Sequence, residues 1–454
     1  MKQKCFFLLL LLSLVGCRWI KKPANDEEEV PHNNHIVMVI DAGIDPNHRA
    51  YKDKVISSYT LVCDSNASNS DTTKLSQEEI KEKILAGLKT GADPEIESNC
   101  HLEKGINHVW TPPSPAVSAL KAKWNQAIKN KNFYALPKQE AQQVKEYLEK
   151  GLSRHHGTNV TALIAYRNPN VRLILVEKKL GRSPTDGADP SACNSIEQVP
   201  IITSIMQDPE VKQAVLQYGK NSEDELIHQL AIQQHVSFIN KSYGTDRTTI
   251  ATFLAAAGCG GSEKTETVIA YLSEKESLRQ TVNQNLGIGY DNAPYLTLQS
   301  AGNSGIPINT KRDRPDSCSG STQHISVGSY DIGGRISYFS NYGPCVDLYS
   351  LGSSVITSSP DDFLTITNGT SFSAPLAIRY MTYEFSEKMP LPELNSKLRS
   401  RLDAKLFLPQ SKVFQYAAYE AYPHELTLVG EEFDPTINVE TPLDLDISQL
   451  WLHL

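Results

Sequence analysis

Four residues of this chain have side chains able to act together on one bond. They are Asp41 in Val39-Ile40-Asp41-Ala42-Gly43-Ile44-Asp45, His156 in His156-Gly157-Thr158-Asn159-Val160, Asn303 in Ala301-Gly302-Asn303-Ser304-Gly305, and Ser371 in Gly369-Thr370-Ser371-Phe372-Ser373-Ala374-Pro375. A serine hydroxyl becomes a good nucleophile only when a base takes its proton, and histidine is the base suited to neutral pH. A carboxylate can orient the imidazole, and an amide can donate to the oxyanion that forms. The four residue types therefore describe an enzyme that works through a covalent intermediate.

The elements that must hold these residues are legible from hydrophobic patterning. His35 to Ile40 is an apolar run ending at Asp41, and Val171 to Val176 and Val236 to Ile239 are runs of the same kind, each the length of a buried strand. Pro294 to Gln299, which precedes Asn303, and His324 to Gly328 read as further strands. Helical spacing marks Thr158 to Tyr166, Ile202 to Tyr218, Glu223 to Gln234 and Thr265 to Asn285. Strands alternating with helices predict βαβ units around a parallel sheet. Short β segments between Val346 and Thr367, broken by Gly352 and by Ser359-Pro360-Asp361-Asp362, predict a ribbon before the helix that carries Ser371. That helix is expected to run to about Lys388, followed by a Pro-rich joint, a helix near Glu393 to Leu402 and an acidic tail containing Trp451.

Asp41 and His156 lie 115 positions apart. The intervening text is charged and helical at Ser76 to Lys89, Ala116 to Lys129 and Pro137 to Gly151. It predicts a helical insertion over about residues 63–150, either a decorating subdomain or a part that takes a role in recognition or covers the site.

Length and charge narrow the class. The 454 residues, 40% of them hydrophobic, suffice for one large domain or two ordinary ones. A net charge of −8 without any basic stripe excludes a nucleic-acid binder, whose affinity needs clustered Lys and Arg. At the N-terminus, Met1-Lys2-Gln3-Lys4 precedes an apolar run from Phe6 to Val15 that is too short to span a bilayer. Residues 1–16 are thus expected to be a signal peptide. Leu14-Val15-Gly16-Cys17 resembles the bacterial lipobox, which makes Cys17 the expected lipid attachment site and residues 17–34 a hydrated spacer. The resulting location is the bacterial cell envelope, outside the cytoplasm and anchored to the membrane by lipid. Of eight cysteines, Cys5 and Cys17 fall in these segments, leaving Cys63, Cys100, Cys193, Cys259, Cys318 and Cys345 for up to three disulfides among fifteen possible pairings. No Cys-x-x-Cys or Cys/His cluster suggests zinc.

The four motifs, in the order Asp, His, Ser, resemble the subtilisin family of serine peptidases over roughly residues 35–385, the insertion excepted. The resemblance implies a three-layer α/β fold with a mostly parallel central sheet, followed by an extension over 386–454. It implies an endopeptidase whose triad is Asp41, His156 and Ser371, with an acyl-enzyme intermediate and with Asn303 as an oxyanion donor. His-Gly-Thr selects His156 over its neighbour His155, and Asp45 becomes a structural member of the Asp-x-Gly-x-Asp pattern. Ser242, Tyr243 and Gly244 would line the cleft and pair with substrate backbone, so the substrate class is polypeptide. Ala301 and Gly302 would stand at the primary pocket. No cofactor is required; calcium often stabilises the family, but its ligands have no motif here. The family commonly has Gly before the catalytic His, a second His after the Thr, and Met after the Ser, where this chain has His155, Asn159 and Phe372.

Three finer expectations accompany this reading. His156 is expected at a helix N-terminus, whose partial positive charge disfavours imidazolium. In the charged stretch Lys311 to Cys318, Asp313 or Asp316 would favour a basic substrate residue, with a solvated loop as the alternative. About 18 residues separate Cys17 from Ile36, so no N-terminal folding domain is expected and the insertion would assist folding instead. The alternative functions are an inactive lipoprotein of the same fold that binds proteins, and a structural envelope protein. The second explains the anchor but none of the motifs. Oligomeric state is not legible.

Overall fold

The computed structural model describes residues 35–64, 76–90, 99–106, 112–130, 132, 135–178, 191–218, 223–256, 258–285, 293–310, 313–314, 321, 323–331 and 335–384. Cys17 with the signal and spacer, Asp316, Cys318, the helix expected near Glu393 and the rest of the extension lie outside the described residues.

Among the described residues, eight strands form the central sheet: β1 (His35–Asp41), β2 (Val55–Asp64), β3 (Asn99–Lys104), β4 (Val171–Lys178), β5 (Phe238–Lys241), β6 (Leu296–Ser300), β7 (His324–Tyr330) and β8 (Leu348–Leu351). Their spatial order is β3-β2-β4-β1-β5-β6-β7-β8. Every neighbouring pair is parallel except β2 with β3. From β1 the chain first builds outward through β2 and β4 and later returns through β5 on the other side. The carboxyl ends at this reversal are where open α/β sheets place their sites. Asp41 ends β1, and Ser242 follows β5 directly.

The helices are α1 (Gln77–Thr90), α2 (Pro115–Lys129), α3 (Lys138–Ala165), α4 (Ser191–Gln207), α5 (Pro209–Tyr218), α6 (Glu223–Gln233), α7 (Arg247–Ala256), α8 (Ser262–Asn285) and α9 (Thr370–Glu384). Because successive strand residues face opposite ways, β1 divides its side chains between two cores. Val37 and Val39 pack with Val160, Leu163 and Ile164 of α3 and with Ala374, Ala377 and Ile378 of α9. Met38 and Ile40 pack on the other face with Ile227, Leu230 and Ala231 of α6. This gives the expected three layers, with the helices that carry His156 and Ser371 sharing one face.

Several elements differ from the sequence reading. β2 and β3 were not expected, because β2 mixes Ser and Thr among its apolar residues and β3 is a polar edge strand. They place residues 55–64 in the sheet, so the chain between the Asp and His motifs contributes to the fold itself. Cys63 and Cys100 sit opposite each other in this pair and form a disulfide; Cys259 and Cys345 are each engaged in a disulfide too. β8 joins the main sheet, and only β9 (Val355–Ser358) and β10 (Leu364–Thr367) form the antiparallel ribbon. The two helices expected at Pro137 to Gly151 and Thr158 to Tyr166 are one continuous α3.

The insertion helices do not form one subdomain. Ile80, Ile84 and Leu88 of α1 pack with α4, α5 and α8. Val117, Leu120, Trp124 and Ile128 of α2, with Val144 and Leu148 of α3, instead close over Ile356, Phe363 and Leu364 of the ribbon. Ser114 caps α2 by accepting from Val117 N at 3.3 Å, with Pro115 in the first turn. From this helix Trp124 Nε1 donates to Leu364 O at 2.7 Å, and Asn125 both donates to Asp362 O at 2.8 Å and accepts from Leu364 N at 2.7 Å. The ribbon that leads into Ser371 is thereby gripped by the helix pair that leads into His156. Trp124→Ala, which empties this seat and orphans the Leu364 carbonyl, is expected to cost about 3–5 kcal/mol, read as a lowered urea midpoint. An unchanged midpoint would show that the grip contributes nothing.

Candidate active site

Asp41 is buried at the end of β1, and its Oδ1 accepts from Ala42 N at 2.7 Å and lies 2.8 Å from His156 Nδ1. An ionised carboxylate can only accept, so the proton of the ring is on Nδ1 and Nε2 carries the lone pair. The chain reaches this geometry through Gly157. A Cβ at that position would stand 2.4 Å from Ile44 Cγ1, 2.8 Å from Ala42 O and 3.0 Å from Asp41 Cβ. Only glycine lets α3 lie this close to the β1 loop. Gly157 N and Thr158 N donate to Ala42 O and Gly43 O at 2.7 and 3.0 Å, and Thr158 Oγ1 bridges from Gly43 O to Asp45 N at 2.9 Å each. Asp45 is structural in this turn, its Oδ1 accepting from Asn47 N.

His156 lies well inside α3, which corrects the expected helix N-terminus. Its electrostatics are correspondingly different. Burial is the largest influence and pulls the imidazole pKa down, but the charge of Asp41 and the hydrogen bond to it together outweigh burial, and the net shift is upward from 6.5. The same helix sends His155 the other way, buried, with its ring 6.2 Å from that of Tyr147. Phe372, next to Ser371, packs its ring 5.5 Å from that of His156.

Ser371 is the second residue of α9, where backbone N–H groups have no intrahelical acceptor. Pro375 falls beyond the first turn of α9 and stands four residues after Ser371. It therefore supplies no N–H to the Ser371 carbonyl. The hydroxyl of Ser242 fills that vacancy, donating to Ser371 O at 2.8 Å, while Ser371 Oγ donates back to Ser242 O at 3.0 Å. Ser242 is buried and its hydroxyl also accepts from Asn240 Nδ2 at 2.9 Å, so its side chain supports the Ser371 segment from below.

Asn303 is oriented by its neighbours. Thr370 N can only donate, so the acceptor at 2.8 Å is Asn303 Oδ1, which also takes Thr370 Oγ1 at 2.9 Å. Nδ2 is then the group left for an outside acceptor, on a residue exposed to solvent beside Ser371. Thr370 Oγ1 in turn accepts from Gly302 N at 3.0 Å. Chemically, the assembly offers a hydroxyl, an imidazole fixed by a carboxylate and an amide donor beside that hydroxyl.

Tyr243 is half-buried, with its OH bonded to Glu223 Oε1 at 3.1 Å and Lys178 Nζ 4.9 Å above its ring; Gly244 is exposed. Ala301 is buried and Gly302 half-buried. Asp313 Oδ2 accepts from Asn309 N, Thr310 N and Thr310 Oγ1, so this carboxylate holds its own turn. Sequence reasoning missed the supports: Glu177, which accepts from Gly43 N at 3.2 Å, and Thr370, whose place inside the Ser motif was the available signal. Among the described residues no group of three or more His, Cys, Asp or Glu could hold a metal ion, and no helix is long and apolar enough to cross a membrane.

The chain belongs to the Subtilase family, whose profile matches residues 32–383. Similar curated proteins include Subtilisin-like protease 4 of Trichophyton tonsurans, 29% identical over 153 residues that cover 31% of this chain and 38% of that one. A subtilisin-like serine protease of Rhodotorula mucilaginosa is 30% identical over 114 residues, covering 23% of this chain and 33% of its own. The chain thus spans well under half the length of the curated relatives it matches. Similar solved structures include a cold adapted subtilisin-like serine proteinase (TM-score 0.36, 16% identity, 83% of each chain) and a lanthipeptide protease (TM-score 0.40, 14% identity, 85% of each chain).

The Asp41–His156 contact has its own test, independent of activity. By NMR, the imidazole of His156 is expected to titrate above the ordinary value of about 6.5, and Asp41→Asn is expected to move that titration down. An unshifted titration in Asp41→Asn would show that Asp41 does not hold the ring.

Proposed function

We propose that the chain is a serine endopeptidase that cleaves polypeptides through an acyl-enzyme on Ser371. His156 is the general base and then general acid, Asp41 fixes its tautomer, and Asn303 Nδ2 with the Ser371 N–H stabilises the oxyanion. Ser242, Tyr243 and Gly244 receive the substrate backbone beside β5, and Ala301 and Gly302 form the primary pocket. The observation that carries this reading is one ring held from two sides: His156 is bonded at 2.8 Å to Asp41 and packed against Phe372, the neighbour of Ser371. Ser371 must turn its hydroxyl from Ser242 O to His156 Nε2, and hydrogen bonds of this kind commonly tighten only when substrate binds.

The present direction of the Ser371 hydroxyl favours the runner-up, an inactive member of the fold that binds proteins. A fluorophosphonate probe separates the two: wild type is expected to be labelled and Ser371→Ala not, whereas a folded wild type that resists labelling refutes the peptidase. With unfolded casein, Asn303→Leu is expected to lower kcat by about 10²–10³, the magnitude known for such a donor in this family. Asp41→Asn and His156→Ala losses are not expected to add, because the residues act as a unit. The raised pKa of His156 sets the pH profile. Imidazolium cannot act as the base, so kcat/KM is expected to fall as pH drops through a value above about 6.5. Activity undiminished well below that value would contradict the role of His156.

The same proposal includes the location. Residues 1–16 form the signal peptide, Cys17 carries the lipid, residues 17–34 are the spacer, and residues 386–454 extend the peptidase domain. The supporting feature is the lipobox-like Leu14-Val15-Gly16-Cys17. Membrane association abolished by Cys17→Ala is the expected result. Full association of that variant would remove the anchor from this account.

A further inference from the structure

Arg314 is the largest fully buried side chain described, with 0% exposure, although arginine is seldom buried completely. Its position is held through the backbone, since Arg247 N donates to the carbonyl of the adjoining Asp313 at 3.2 Å. The guanidinium touches both sides of the primary pocket. Nη2 donates to Tyr243 O at 3.4 Å on one wall, and on the other Nη1 would lie 2.4 Å from a Cβ at Gly302. Asn341 Nδ2 and Asp246 Oδ2 border the same point of Gly302, at 2.4 and 3.0 Å.

The neighbours leave the guanidinium little room to move. Asn341 Nδ2 donates to Ala301 O and to Asp246 Oδ2, both at 2.9 Å, while its Oδ1 accepts from Ser304 N and Ile306 N. Asp246 Oδ1 accepts from Thr249 N, Thr249 Oγ1 and Ser304 Oγ. Arg314 therefore occupies space between the Tyr243 wall and the Ala301-Gly302 wall, against a floor whose polar atoms are already fixed.

We propose that Arg314 is a specificity-determining residue that fills the deep part of the primary pocket and limits the residue on the acyl side of the scissile bond to glycine, alanine or serine. This inference rests on the peptidase reading above. A long apolar side chain would have to displace a buried guanidinium, and a pocket without room for added methylenes discriminates by about 10- to 200-fold for each misfit.

The test is a cleavage profile on peptides that vary only at that residue. Wild type is expected to cleave after Gly, Ala and Ser at least about tenfold faster than after Leu or Phe. Arg314→Ala is expected to raise kcat/KM for Leu and Phe while retaining cleavage after Ala, and Arg314→Met, similar in length, is expected to keep the pocket closed. Fluorophosphonate labelling shows for each variant whether the Ser371 site is folded, and the wild-type profile decides even if both variants unfold. Efficient wild-type cleavage after Leu or Phe would overturn the proposal. So would a preference for Asp or Glu, which would make the guanidinium a ligand for the substrate. A folded Arg314→Ala enzyme with an unchanged profile would overturn it equally. If wild type is not labelled at all, the peptidase reading fails first, and the two failures are thereby distinguished.

Discussion

The arrangement depends on how closely helix α3 can lie against the loop at the end of strand β1. Gly157 has atoms of Ile44, Ala42 and Asp41 where any other residue would carry its Cβ. In a helix interior glycine costs about 1 kcal/mol relative to alanine, and here that cost is offset by bonds from Gly157 N and Thr158 N to Ala42 and Gly43. The approach delivers the His156 ring to Asp41 at 2.8 Å. It also determines the electrostatics of the His156 imidazole. Burial alone would depress the imidazole, but the carboxylate reverses the shift, so the ring accepts a proton more readily than an ordinary histidine. Because the raised pKa favours the protonated fold, this pair contributes stability that is fully present below about pH 6.5 and is lost as pH rises through the shifted value.

Ser371, the proposed nucleophile, is held by a different constraint. Pro375 deprives the Ser371 carbonyl of its helical donor, and Ser242, immediately after β5, supplies the missing hydrogen bond. That bond ties the start of α9 directly to the end of β5. The reverse bond from Ser371 Oγ to Ser242 O fixes the hydroxyl on the same residue. Behind both helices, Trp124 and Asn125 fasten the β9–β10 ribbon to the insertion. His156 and Ser371 are thus carried by elements that brace one another.

The apolar runs at β1, β4, β5, β6 and β7 were visible in the sequence because strands buried on both faces need no alternation. Asp41, His156, Asn303 and Ser371 were visible because each lies in a short string of small residues with little reason to recur otherwise. β2 and β3 were obscured because one is half polar and the other lies at the sheet edge. The continuity of α3 was also obscured, since Gly157 interrupts the helical text for a packing reason that appears only when β1 is beside it. The charged stretch after Thr310 signalled its importance, but not that Asp313 would cap a turn while Arg314 turned inward. Which side chain of a charged run faces the interior depends on long-range packing that the run itself does not contain.

The most direct test of the account is a crystal structure of the chain after reaction with a fluorophosphonate. The adduct should lie on Ser371 Oγ, swung away from the Ser242 carbonyl, with a phosphonyl oxygen about 2.7–3.1 Å from Asn303 Nδ2 and His156 still bonded to Asp41. An adduct on another residue, or one on Ser371 whose oxygen avoids Asn303 while His156 has left Asp41, would contradict it.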